Sequence, residues 1–147
     1  MLFEMLSTLS AGLFAGATIY ISVVEHPARI NCGIDLALQS FKSSYRRGAP
    51  FMGSMLLTGL VCAIAAWWST SNAWWLIGAA PLLFPIPYTI IFILPLSKRL
   101  LALSPNENNE LASKLLKRWA ALHSLRSLMG LAAFTAFLTL LARSASR

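Results

Sequence analysis

Charged side chains are scarce in this chain, and acidic ones are scarcer still. Only 12% of its 147 residues are charged, with five Asp and Glu against twelve Lys and Arg. A soluble domain of this size carries about 25% charged residues, so a surface wetted all round is the first thing excluded. Cysteine is nearly absent too. Cys32 and Cys62 have no further cysteine or histidine at metal-ligand spacing, so neither a structural zinc nor a disulfide is expected. Cys62 lies inside an apolar run and reads as a small buried residue. A nucleic-acid partner is not expected either. The net charge of +7 is large, but the basic residues lack the aromatic interleaving of a continuous binding surface. They gather between apolar runs, where anionic headgroups would meet them. Before the first run the only charge is Glu4, not the basic stretch of a cleavable signal, so that run is expected to remain as a helix.

Long hydrophobic runs are what the chain has in abundance. Hydrophobic residues make up 57% of it, and four uncharged stretches approach the roughly 20 helical residues needed to cross a hydrocarbon core of about 30 Å. These predict spans at 5–24, 51–68, 74–94 and 120–142. The second begins just after Pro50, a residue suited to the first turn of a helix. Only Ser69 to Ala73 separates it from the third, which predicts a tight antiparallel hairpin. Pro81, Pro85 and Pro87 should bend or break the third. Ser104-Pro105-Asn106-Glu107 fits a capping box, so the fourth helix is predicted to start in water, well before it enters the membrane. The expected fold is all-α: one domain over 1–147, a four-helix transmembrane bundle whose long fourth helix extends into the cytoplasm. Nothing in the residues fixes an oligomeric state, and assembly into an oligomer stays open.

Basic residues suggest an orientation. The first and third connections hold nine (Arg29, Lys42, Arg46, Arg47, Lys98, Arg99, Lys114, Lys117 and Arg118), while the opposite side has only Arg143 and Arg147. The positive-inside rule then puts the long connections in the cytoplasm and both termini outside, as for a bacterial inner-membrane protein. Trp67, Trp68, Trp74 and Trp75 are expected at the outer turn, among headgroups.

The polar residues that stand out all belong to one mouth of the bundle. Glu25-His26-Pro27 closes the first span, with Pro27 expected to end its helix there or soon after. Trp119, His123 and Arg126, spaced four and three apart, share one face of the fourth helix. Sixteen residues separate Arg126 from Arg143, about 24 Å of helix, so Arg126 should sit inside the apolar zone and need an anion. Glu25 is the carboxylate adjoining a span on that side, and a Glu25–Arg126 pair is the expectation. Tyr88 and Thr89 follow the proline cluster and are further candidates, as is Tyr20 if it turns inward. Gly12 and Gly16, four apart, would let another helix approach closely. Phe41, Tyr45, Arg46 and Arg47 fit a short interfacial helix.

Read in order, His26-Pro27-Ala28, then Tyr45, Arg47 and Pro50, then Tyr88-Thr89 with Pro95-Leu96, then Trp119-x-x-x-His123-x-x-Arg126 resemble the anthrone oxygenase-like family of small four-helix membrane proteins. The resemblance implies oxidation of an anthrone, or another lipophilic polycyclic phenol, by dioxygen. It points to Trp119, His123 and Arg126, with His26, Tyr88, Thr89 and Pro95 behind them. Many relatives have asparagine where this chain has His123. On that reading a neutral histidine serves as general base, Arg126 holds the enolate oxygen, and no cofactor is needed. Two other classes stay open: a redox protein whose two histidines ligate haem or copper, and a non-catalytic bundle for assembly or lipid binding.

Overall fold

A computed structural model describes residues 1–146, so Arg147, counted in the charge asymmetry above, lies outside the described residues. Four long helices make up the fold: α1 Leu2–Asn31, α2 Ile34–Thr70, α3 Trp74–Ala102 and α4 Asn109–Ala145. The three connections are short. Gly33, at φ +95°, reverses the chain between α1 and α2, a conformation that costs glycine little. The α2–α3 turn is closed by the Asn72 side chain, which accepts from the Trp74 N–H at 3.1 Å. The N-terminus, this turn and the end of α4 lie at one end of an up-and-down bundle; the other two connections and the basic helix segments beside them lie at the other.

Several boundaries differ from the sequence expectation. The second helix does not begin at Pro50: it begins at Ile34 and carries Pro50 in its interior. The segment holding Phe41 and Tyr45 is therefore the first part of α2, not a separate interfacial helix. α1 ends soon after Pro27, as expected: a π-helical turn at Ile21–Glu25 leads into a last helical segment, His26–Asn31. The fourth helix starts at Asn109, with Asn108 as its cap accepting from the Leu111 N–H. Ser104 and Glu107 instead close a turn in the connection before it, the Glu107 carboxylate accepting from the Ser104 N–H. That connection is pinned to α2 by Asp35, which accepts from Asn106 N–H and the Asn109 amide.

The distribution of side chains is that of a protein turned inside out. Val61, Ile64, Ile77, Ile91 and Leu131 are exposed on the bundle's outer faces, whereas Thr18, Ser97, His123 and Ser127 are buried. Large contiguous apolar surface of this kind is unsustainable in water and is what lipid requires; all four helices are long and apolar enough to cross a bilayer. The protein is an integral membrane protein. Trp68 and Trp74 project outward at the terminal end as expected, but Trp75 is fully buried and stacks on Phe137 at 5.5 Å.

Because lipid is as apolar as the core, helix association here depends on close packing rather than on expelling water. α1 and α4 meet through paired glycines and phenylalanines. A Cβ on Gly12 would lie 2.9 Å from Phe134, and one on Gly130 would lie 2.9 Å from Phe14 and 3.2 Å from the Ala15 Cα. Gly16, by contrast, has open space around it and takes no part. Gly130→Ala is therefore expected to cost about 1–3 kcal/mol through overpacking, measured as a lower unfolding midpoint in detergent. Gly16→Ala should leave the midpoint unchanged or raise it.

Candidate functional site

Toward the basic end the four helices enclose a cavity of about 550 Å³. Its origin is in α3, where Pro81, Pro85 and Pro87 interrupt the regular hydrogen bonding and a second π-helical turn follows at Thr89–Ile93. Such turns insert one extra residue and rotate the side chains beyond them, and they recur at functional sites. Here one lies in α1 and one in α3, two of the four helices that line the cavity.

The cavity wall is mostly apolar, with Met52, Leu56, Ile86 and the Trp119 indole among its members. Its polar groups are few: Glu25 and Arg29 from α1, Ser44, Tyr45 and Arg47 from α2, Thr89 from α3 and Arg126 from α4. Arg126 is 9% exposed, lies over the Phe14 ring at 5.6 Å and makes no hydrogen bond or ion pair among the described residues. The expected Glu25–Arg126 pair is corrected by the structure. Glu25 pairs with Arg29, one helical turn along α1, and Arg29 also donates to Ser44 at 2.8 Å. An i,i+4 partner on the same helix wins over a more distant one across the bundle. Arg126 is left as a buried cation facing an empty space.

Of the other residues singled out from the sequence, Trp119 and Thr89 also reach the cavity. The Trp119 indole N–H donates to Ser97 at 3.1 Å, which fixes the ring. The Thr89 hydroxyl is buried without a partner. Its neighbour Tyr88 is committed elsewhere, donating to the Leu122 carbonyl at 3.2 Å, and it is not part of the wall. Tyr20 does not turn inward: it is 56% exposed on the outer face of α1. His26 and His123 are buried, but they stand behind the cavity rather than on it. Both rings pack on Trp119, at centroid distances of 5.8 and 4.6 Å. His123 Nδ1 shares a hydrogen bond with Ser22 Oγ at 3.1 Å, and Ser22 continues to Ser127 at 3.0 Å. The histidines thus brace the indole. The residues that sequence reasoning did not rank as site residues are Arg29, Ser44, Tyr45 and Arg47. Arg29 had a visible signal, its i,i+4 spacing from Glu25.

Fold and site together define a small four-helix integral membrane protein with a lipophilic cavity and an uncompensated buried cation. The family model for anthrone oxygenase matches residues 41–136, more than half of the chain, and the chain belongs to that family. The match includes Tyr45, Thr89, Trp119 and Arg126 and stops short of α1, which supplies Glu25 and Arg29. No curated protein and no solved structure matches the chain.

Proposed function

We propose that this protein oxidises a polycyclic phenolic, anthrone-like substrate with dioxygen in the cavity between its four helices. The observation that carries this reading is Arg126. A buried guanidinium without counter-charge is costly, and it is tolerated where function needs an anion held in an apolar place. The enolate oxygen of a deprotonated anthrone is such an anion, on a flat hydrocarbon body that suits the remaining wall. On this reading the base is Glu25, which lines the cavity, rather than either histidine. One oxygen of Glu25 is held by Arg29, and the other accepts from no protein group among the described residues.

The steps balance without an added reductant. Glu25 takes a proton from the substrate's CH₂, and Arg126 holds the charge that gathers on the ring oxygen. The electron-rich carbanion passes one electron to dioxygen, and the radical pair joins to form a C–O bond. The resulting peroxide takes up the proton. Loss of the second C–H proton then breaks the O–O bond and releases water, leaving C=O. CH₂ and O₂ become C=O and H₂O, the four electrons coming from the substrate. Haem or copper is not part of this proposal. Both imidazoles are packed against Trp119, and the cavity does not extend to either.

The test is oxygen uptake by purified protein supplied with 9-anthrone and no cofactor. One anthraquinone per dioxygen is expected, at a rate well above the uncatalysed background. A rate equal to background would leave a membrane bundle that binds hydrophobic ligands. We further infer that the basic end faces the cytoplasm of a bacterial inner membrane, from the nine-to-two charge asymmetry. A reporter enzyme fused after Arg147 should then be active only in its external form; cytoplasmic activity would reverse the topology.

A further inference from the structure

The cavity has a second property, which concerns how it is filled. α2 and α3 touch at both of their ends. On the hairpin side, Ala63 and Ala66 of α2 share a core cluster with Trp75, Ala79 and Leu82 of α3, and Gly59 packs on Leu82. At the basic end Leu38 and Leu100 belong to one core cluster, and Lys42 donates to the Leu103 carbonyl. Between these two contacts their backbones diverge over Pro85–Ile93, with few close approaches. Leu57 on α2 and Ile90 on α3 stand at the edges of this gap. Both line the cavity, and they are 57% and 59% exposed, respectively. Leu57 lies ten residues beyond Arg47, and Ile90 eight residues before Lys98, or about 15 and 12 Å of helix at 1.5 Å per residue. The gap therefore opens at hydrocarbon depth, not among headgroups. Gly53 sits on its α2 side, and a Cβ built there meets nothing within 4 Å.

We propose that the cavity is loaded sideways from the bilayer, through a portal between α2 and α3 edged by Leu57 and Ile90 and kept open by Gly53. The proposal rests on the cavity being where a lipophilic substrate reacts. It assigns that substrate to compounds dissolved in the membrane rather than delivered from water. Gly53 is then a determinant of access, with no role in the chemistry. Leu57 and Ile90 form an apolar rim, and Thr89, the residue before Ile90, belongs to the cavity wall.

The portal can be tested without turnover. The protein is reconstituted in phosphatidylcholine vesicles containing a lipid with bromine atoms at mid-chain, which quench indoles by contact. The Trp119 share of the quenching is the part lost in Trp119→Phe. In the unaltered protein this share is expected to be large, because a brominated chain enters the portal. Gly53→Phe should reduce it about tenfold by steric exclusion, while Gly16→Phe, on open space away from the cavity, should leave it unchanged. Leu57→Ala with Ile90→Ala removes two exposed side chains without overpacking and should increase it. Equal quenching in Gly53→Phe and Gly16→Phe, or no rise in the double variant, overturns the portal. Absence of any Trp119 share overturns it as well. Intact quenching with no anthrone oxidation counts against the proposed function alone.

Discussion

Arg126→Met is expected to lower kcat/KM for anthrone oxidation by about 10²–10³, the cost of losing one preorganised donor to a developing oxyanion, while leaving the protein as stable or more so. The two halves have different origins. Among the described residues the guanidinium has no carboxylate and no hydrogen bond, and it lies over the Phe14 ring at 5.6 Å. A desolvated cation–π contact contributes about 2 kcal/mol, and burying an unpaired charge costs several kcal/mol, so the penalty is the larger. Methionine keeps most of the volume and removes the charge. The unfolding midpoint in detergent should stay level or rise as oxygen uptake falls. A variant that loses activity and stability together would mark Arg126 as a structural residue, and the proposed role would fail.

Much of this site could be read from the sequence, and the failures have identifiable causes. Helical spacing correctly put Trp119, His123 and Arg126 on one inward face, because α4 is regular throughout that stretch. Spacing also held the answer for Tyr20. Ala11, Phe14, Ala15 and Thr18 are the buried stripe of α1, and a residue two beyond Thr18 points away from it. The extent of α2 was hidden for another reason. Apolar runs report the thickness of the hydrocarbon, so the wet first part of that helix, with Lys42, Arg46 and Arg47, resembles a loop. Pro50 is tolerated inside it near the interface, where the backbone carbonyl it leaves free can bind water. The π-helical turns at Ile21–Glu25 and Thr89–Ile93 have no sequence signature at all. Each shifts the facing of residues beyond it, and that shift is why an even 3.6-residue count cannot say which of Glu25, His26, Tyr88 and Thr89 reach the cavity.

For the histidines, residue type and position point in different directions. An imidazole near an arginine suggests acid–base work, yet His123 is fully buried beneath Trp119 and bonded to Ser22. An asparagine at this position could make the same hydrogen bond to Ser22, which fits a bracing role. α1 brings a carboxylate into the wall instead, and it lies beyond the part of the chain matched by the family model.

Glu25→Gln should therefore be the variant that slows proton abstraction most. A positioned general base contributes about 10²–10⁴ in rate, so kcat is expected to fall by that factor with KM little changed. Glutamine keeps the shape and leaves an amide oxygen to accept from Arg29, which also retains its bond to Ser44 at 2.8 Å. The wall should therefore stay in place. Two further readouts separate a base from a merely structural carboxylate. With the C–H step made slow, a primary deuterium isotope effect on kcat should appear or grow when the substrate carries CD₂ at the reacting carbon. Glu25→Ala, which leaves a small void beside Arg29, should regain part of its activity when formate or acetate is added, since a free carboxylate can occupy the place of the lost one. His123→Asn, by contrast, should keep most of its activity. If His123→Asn is inactive while Glu25→Gln turns over normally, with no isotope effect and no rescue, the base belongs to the histidine and Glu25 serves only to hold Arg29.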